Sequence, residues 1–145
     1  MIPLKLTLSG FMSYRDAQAL DFQDDSLWVL IGKNASGKSS IFDAIIFALF
    51  GETRVAGINN NELINHHSDA AEIIFDFAAN GAKYRVKRTI PKKGSATRQA
   101  SLLLQKPDGS LFPQPIPGTH TESKLKKWIE TELGINYEVF ITSIL

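Results

Sequence analysis

Between Gly32 and Ser39 the chain reads GKNASGKS, two glycines separated by four residues and followed at once by Lys38 and Ser39. The spacing G-x-x-x-x-G-K-[ST] constrains the fold more than any other feature of the sequence, because it works only where a strand ends and a helix begins. Successive backbone N–H groups must converge on phosphate oxygens, and only a loop with small residues at its tight points lets them approach. The flanks agree with that requirement. Leu27 to Ile31 (LWVLI) is an unbroken apolar run ending at glycine, the pattern of a strand covered on both faces. From Lys38 to Phe50 the chain reads as a helix, with Gly51 as its stop. Ile41, Phe42 and Ala44 to Phe50 cover nearly every face of that helix, which therefore belongs between layers.

In this reading Lys38 places its ammonium on the β and γ phosphates and Ser39 gives its hydroxyl to Mg²⁺. The helix start adds a positive dipole end of about half an elementary charge. A nucleoside triphosphate and Mg²⁺ are the expected cofactors. Gly32, Lys33, Asn34, Ala35, Ser36, Gly37, Lys38, Ser39 and the following Ser40 are the candidate nucleotide-binding residues. Lys38 is the candidate catalytic group and Ser39 the candidate metal ligand.

At 145 residues, with 43% hydrophobic and 21% charged residues, the chain has the size and composition of one globular domain. It has no cysteine, which removes thiol nucleophiles, disulfides and thiolate metal sites. His66, His67 and His120 do not have metal-ligand spacing. The start, MIPLKLTLSGF, lacks the basic and long apolar parts of a signal peptide. The longest apolar segment, Ile41 to Phe50, is about half of what a bilayer requires. A cytoplasmic protein with no membrane association is expected. A net charge of +1 gives the molecule no overall basic field, so any nucleic-acid patch must be local.

Leu4, Leu6 and Leu8 alternate with polar residues, as does the segment around Ala17 to Phe22, which predicts two strands joined by SGFMSYRD. Residues 52 to 70 read as a polar surface loop with room for one helical turn. Glu72 to Phe77 and Lys83 to Ile90 form a predicted hairpin around Asn80-Gly81. A further strand, Gln99 to Gln105, is followed by a turn at Asp108-Gly109, and the proline-rich FPQPIPG is expected to close the sheet region. Thr119 stands three residues before Glu122 in a capping-box arrangement. Leu125, Trp128, Ile129 and Leu133 then share a helical face that Gly134 ends, and Asn136 caps a last helix. IIFDF at 73 to 77 imitates a Walker B strand. The hairpin makes it antiparallel, so Asp76 is expected to face solvent. LSG at 8 to 10 imitates a signature motif but lies at a strand end.

Lys83, Arg85, Lys87, Arg88, Lys92, Lys93 and Arg98 lie within sixteen positions that contain no acid. They suit a phosphate-tracking patch for DNA. They equally suit the wet face of an antiparallel strand, whose alternation Arg88 alone breaks.

Taken with its surroundings, the loop resembles the SMC-like branch of the ABC ATPases, and within it the SbcC family of double-strand-break repair ATPases. GFMSY leads to a second strand ending LDF, and GKNASGKSSIFDAIIFALFG is similar to the family's G-x-N-G-x-G-K-S-S and the aliphatic helix after it. ELIN, KYRVKR and NYEVFITSIL follow in the family's order. Ala35 stands where the family usually has glycine, and Met12 where relatives often carry arginine or lysine.

The resemblance implies an α/β P-loop NTPase fold. Its central sheet carries a buried P-loop helix and an antiparallel β subdomain, together making an incomplete half-domain. It implies that residues 1–145 are the N-terminal portion of a split ATPase head, ending just before the Q-loop. The signature motif and Walker B acids then come from a second half beyond a coiled coil, and this portion is inactive alone. The implied partners are that second half, a second copy of the head dimerised on ATP, an SbcD-type nuclease and DNA. Met12, Ser13, Ile64, Asn65 and His66 are implied to border the nucleotide, with Tyr14 either a further neighbour or a packed aromatic. The alternative in the same superfamily is a chromosome-organising ATPase or a clamp that dimerises on ATP without hydrolysing it. A split head also predicts exposed apolar surface on this half.

Overall fold

The computed structural model of the chain describes residues 1–22, 35–53, 59–134 and 136–144, with the side chains of residues 35–40, 60 and 141–144 outside the description. Period-two alternation becomes six strands of one sheet: β1 (Ile2–Ser9), β2 (Gln18–Asp21), β3 (Ala70–Ala79), β4 (Ala82–Pro91), β5 (Thr97–Gln105) and β6 (Leu111–Pro115). Their order is β2-β1-β3-β4-β5-β6, and every pairing is antiparallel. The predicted strand at Leu27–Ile31, which includes Trp28, lies outside the described residues.

Register sorts the side chains into two faces. Leu6, Phe75, Val86 and Ala100 stand opposite one another across four strands and all are fully buried. One residue away, Asp21, Lys5, Asp76, Arg85 and Ser101 form the matching row on the other face. Asp76 is therefore not the solvent-facing residue expected, being only 6% exposed. It sits on a central strand, and Arg85 closes over it with two parallel bonds, Nε to Oδ1 at 2.8 Å and Nη2 to Oδ2 at 3.0 Å. The guanidinium is held above its usual range chiefly by that hydrogen bond, against the opposing effect of its burial.

The hairpin turns where Asn80-Gly81 predicted, with φ of 52° and 79° at the two turn residues. Asparagine tolerates the left-handed region and glycine enters it freely, so the twist of the turn matches that of the strands. The proline-rich segment closes the sheet as expected, and it does so as a strand, the edge strand β6. The Ile116 N–H donates to the Ala100 carbonyl at 2.9 Å, so by alternation the amides of residues 112 and 114 also face β5. Pro113 and Pro115 then fall on the outward edge, where a missing N–H leaves nothing unpaired and discourages a further strand.

Helix α1 (Ala35–Phe50) lies against β3 and β4 of the sheet and against α2 (Glu122–Leu133) and α3 (Tyr137–Ile144). Phe42 to Phe50 are all buried, which is what their all-round apolar sequence demands. Helix α2 buries Leu125 and Ile129 and sets Trp128 edge-on to Tyr84 at 5.2 Å. Helix α3 packs Tyr137 and Phe140 on Phe50, and the Asn136 side chain accepts the Val139 N–H at 3.0 Å as the expected cap.

The capping box at Thr119 does not form. The cap of α2 is Thr121, without a side-chain bond. Thr119 is buried instead against β5, where Oγ1 accepts the Ala100 N–H at 3.1 Å and the Gln99 Nε2–H at 2.7 Å. Of the exposed apolar surface expected on this half, the strand at Leu27–Ile31 lies outside the described residues, and the described side chains of α1, Ile41 to Phe50, are buried or half-buried. Among the described residues the exposed large apolar side chains are Met1, Ile2, Leu111, Phe112 and Val139, scattered over β1, β6 and α3. No helix among the described residues is long and apolar enough to cross a membrane.

Candidate nucleotide-binding site

Gly32, Lys33 and Asn34 lie outside the described residues. The remainder of the motif, Ala35 to Ser40, is the first part of α1, which begins three residues earlier than the sequence predicted. The first four amides of a helix have no partner within it. Here those amides belong to Ala35, Ser36, Gly37 and Lys38, all residues of the motif. No acidic residue occupies the first turn, so the positive end of the dipole carries no internal counter-charge from its own helix. A helix start of this kind attracts an anion bearing several oxygens, and Ser39 lies one residue further along it.

A second group of candidates converges on the turn after β1. Phe11 and Tyr14 exchange backbone bonds, the Phe11 N–H donating to Tyr14 at 2.9 Å and the Tyr14 N–H to Phe11 at 2.8 Å. Met12 and Ser13 therefore form the tip of a two-residue turn. Met12 has φ of 50°, a conformation that costs a non-glycine residue on the order of 1 kcal/mol. The loop carrying Ile64, Asn65 and His66 follows a short 3₁₀ turn, Asn60–Leu63, and docks on this tip. The Met12 N–H donates to the Leu63 carbonyl at 2.7 Å, Asn65 Nδ2 to the Met12 carbonyl at 2.7 Å, and the Asn65 N–H to the Gly10 carbonyl at 2.8 Å. Phe11 bridges to Ile64 and also places its ring 6.4 Å from that of Phe47 on α1. Met12, Ser13, Ile64, Asn65 and His66 are thus gathered in one place, with Ile64 buried and His66 exposed.

The opposite end of α1 holds a polar cluster that sequence reading did not find. No basic residue lies in the last turn of the helix, yet Arg88 of β4 donates Nε–H to the Ala48 carbonyl at 2.8 Å. Its two Nη groups donate to Glu122 at 2.6 and 3.0 Å, and its guanidinium lies 5.4 Å from the centre of the Phe47 ring. Arg98 of β5 reaches the same carboxylate at 2.9 Å. The one available signal was Arg88 breaking the polar alternation of its strand, which placed it on the core side.

A family model described as an AAA domain matches residues 5–145. The chain belongs to the AAA domain family. The SbcC component of the SbcCD nuclease of Deinococcus radiodurans is 34% identical over the whole of this chain and 16% of its own length. The DNA double-strand break repair Rad50 ATPase of Thermoplasma volcanium is 32% identical over 99% of this chain and 15% of its own length. The chain therefore spans only a small part of the curated relatives it matches. A structure of the recombination mediator protein RecF-ATPrS superposes with a TM-score of 0.59 at 14% identity, covering 86% of this chain and 29% of that one. That likeness shows the fold alone, an α/β arrangement with an antiparallel sheet.

Within this AAA domain the basic hairpin is not an open patch. Arg85 is paired with Asp76, Arg88 and Arg98 with Glu122, and Lys87 lies 3.7 Å from Glu72. Lys83, Lys92 and Lys93 are the cations of the hairpin that no described carboxylate offsets. Among the described residues no group of His, Asp and Glu is arranged to hold a metal.

Proposed function

We propose that residues 1–145 are the ATP-binding half of a DNA double-strand-break repair ATPase head. One observation carries the reading. The phosphate-binding motif opens helix α1, in a chain similar over its full length to proteins named as the SbcC component of the SbcCD nuclease and as a Rad50 repair ATPase. In this reading the amides of Gly32 to Ser39 wrap the phosphates, with Ser40 next to them on the helix. Lys38 neutralises the β and γ oxygens and Ser39 holds Mg²⁺, which when bound supplies charge neutralisation at the transferring phosphoryl group. Met12, Ser13, Ile64, Asn65 and His66 frame the base and ribose side.

Hydrolysis then belongs to an assembled dimer. A Walker B acid and a signature motif come from the C-terminal half of the same head and from a second copy. ATP-driven engagement of the two heads moves an SbcD-type nuclease and DNA, in a cytoplasmic setting that suits a chain without cysteine. In the full polypeptide Lys38→Ala should weaken ATP binding at least about a hundredfold, read by titrating labelled nucleotide. Unchanged affinity would overturn the assignment. Turnover that rises with duplex DNA and nuclease separates a repair ATPase from a clamp that merely dimerises on ATP.

A further inference from the structure

We infer that Asn65 is a positioning residue of the nucleotide site, acting by holding Met12 in its left-handed conformation. The inference rests on the nucleotide-binding reading and assigns Asn65 a role other than contact with the ligand.

Two non-glycine residues among those described have positive φ, Asn80 and Met12. Asn80 is in a hairpin turn and is of a type that tolerates the region, since its short amide can bond locally. Methionine has no such group. A conformation of this kind persists where neighbours over-determine it, and such places concentrate at ligand clamps. The neighbours of Met12 are specific. Its N–H donates to Leu63 and its carbonyl accepts from Asn65 Nδ2, both at 2.7 Å, so both of its peptide groups are fixed from the 59–68 loop.

The other end of the same amide is also engaged, Asn65 Oδ1 accepting the His67 N–H at 2.9 Å. With the Asn65 N–H on Gly10, one residue ties three points of two separate loops. Both ends of the side chain face protein, and the half-buried amide sits between the turn tip and the exposed His66. Asparagine alone among side chains of this length offers a donor to Met12 and an acceptor to His67 together. Aspartate would set a carboxylate against the Met12 carbonyl. The result is a frame that presents Met12, Ser13, Ile64 and His66 in fixed relation.

The test is a double-mutant cycle on the full polypeptide, with ATP affinity and melting temperature measured for Asn65→Ala, Asn65→Asp, Met12→Gly and the double variant Met12→Gly/Asn65→Ala. Glycine adopts positive φ unaided. Asn65→Ala should therefore weaken ATP binding about fivefold to tenfold with Met12 present and less than about twofold with Gly at position 12. Asn65→Asp, which keeps the acceptor for His67 and loses the donor to Met12, should match Asn65→Ala in the native background. Equal losses in both backgrounds would mean that Asn65 touches the nucleotide itself, and would overturn the inference. A lowered melting temperature with unchanged ATP affinity would reduce Asn65 to a structural role and overturn it as well. A native chain that binds no ATP removes the nucleotide-binding reading and this inference with it, whereas additive losses remove this inference alone.

Discussion

The two ends of helix α1 answer opposite electrostatic demands with opposite kinds of construction. At the N-terminal end the first four amides belong to one contiguous motif, and no acid sits in the first turn. At the C-terminal end the cation comes from Arg88, forty positions after the Ala48 carbonyl it serves, and its counter-ion comes from Glu122 on a later helix. The difference has a physical origin. Adjacent amides can converge on an anion only if they are neighbours along the chain, so that site is necessarily local. A carbonyl at the end of a buried helix accepts a donor from whatever strand the fold brings past it.

If the two ends are independent, they should fail independently. The largest loss of stability is expected from Arg88→Ala, which leaves Glu122 to Arg98 alone and takes the donor from the buried Ala48 carbonyl. Glu122 is 45% exposed, so the cost comes chiefly from the unsatisfied carbonyl and the lost packing of the buried arginine, about 2–4 kcal/mol, read as a shift in urea unfolding. Arg88→Lys should recover little of it, because an ammonium cannot make the paired bonds. Lys38→Ala should do the reverse, leaving unfolding within about 0.5 kcal/mol while nucleotide binding is lost. Weakened ATP binding by folded Arg88→Ala would show that the two ends communicate.

A smaller effect is expected at Gly51, which has φ of 70° and lies against the cluster. A Cβ there would meet Glu122 Oε1 at 2.5 Å and Arg88 Nη1 at 3.1 Å. Gly51→Ala should cost about 1–3 kcal/mol through backbone strain and displacement of the carboxylate. A neutral result would show that the Glu122 side chain yields freely and that the cluster is loose.

The smallest effect serves as a control remote from both ends. Burial first, and then the charge and hydrogen bond of Glu132, hold the Tyr84 hydroxyl above its ordinary value of 10.0. The folded chain thus keeps a proton that the unfolded chain has lost. Tyr84 contributes its full share of stability below about pH 10, and that share fades as pH rises through the raised value. Tyr84→Phe should flatten this alkaline decline in thermal melting without altering the Arg88 or Lys38 effects.

Much of the fold was legible because its signals are local. Asn80-Gly81 set the hairpin, Asn136 capped the last helix, and the apolar sequence of 41 to 50 required enclosure. The errors share a cause. Thr119 and Glu122 had capping-box spacing, but a strand and two arginines offered them stronger partners. Asp76 read as a wet hairpin residue because its one-residue context cannot show that it stands mid-sheet opposite Arg85. The prolines at 113 and 115 close the sheet as read, but that they do so inside a strand was not legible, because which edge they face depends on register with β5. Of the site candidates, the motif was visible as a string. The convergence of Met12 with Asn65 became visible only with both loops in place, since 53 positions separate the bonded groups.

Sequence by itself determined that a helix with nine apolar residues among the ten positions from 41 to 50 must be interior and that a glycine-lysine-serine motif stands at its start. Both follow from covalent neighbours and helical geometry. Only the tertiary structure decided which cations of the basic hairpin are already paired, and what closes the far end of α1. Those outcomes depend on which distant side chains share a buried space, where an unpaired charge is costly enough to select its partner.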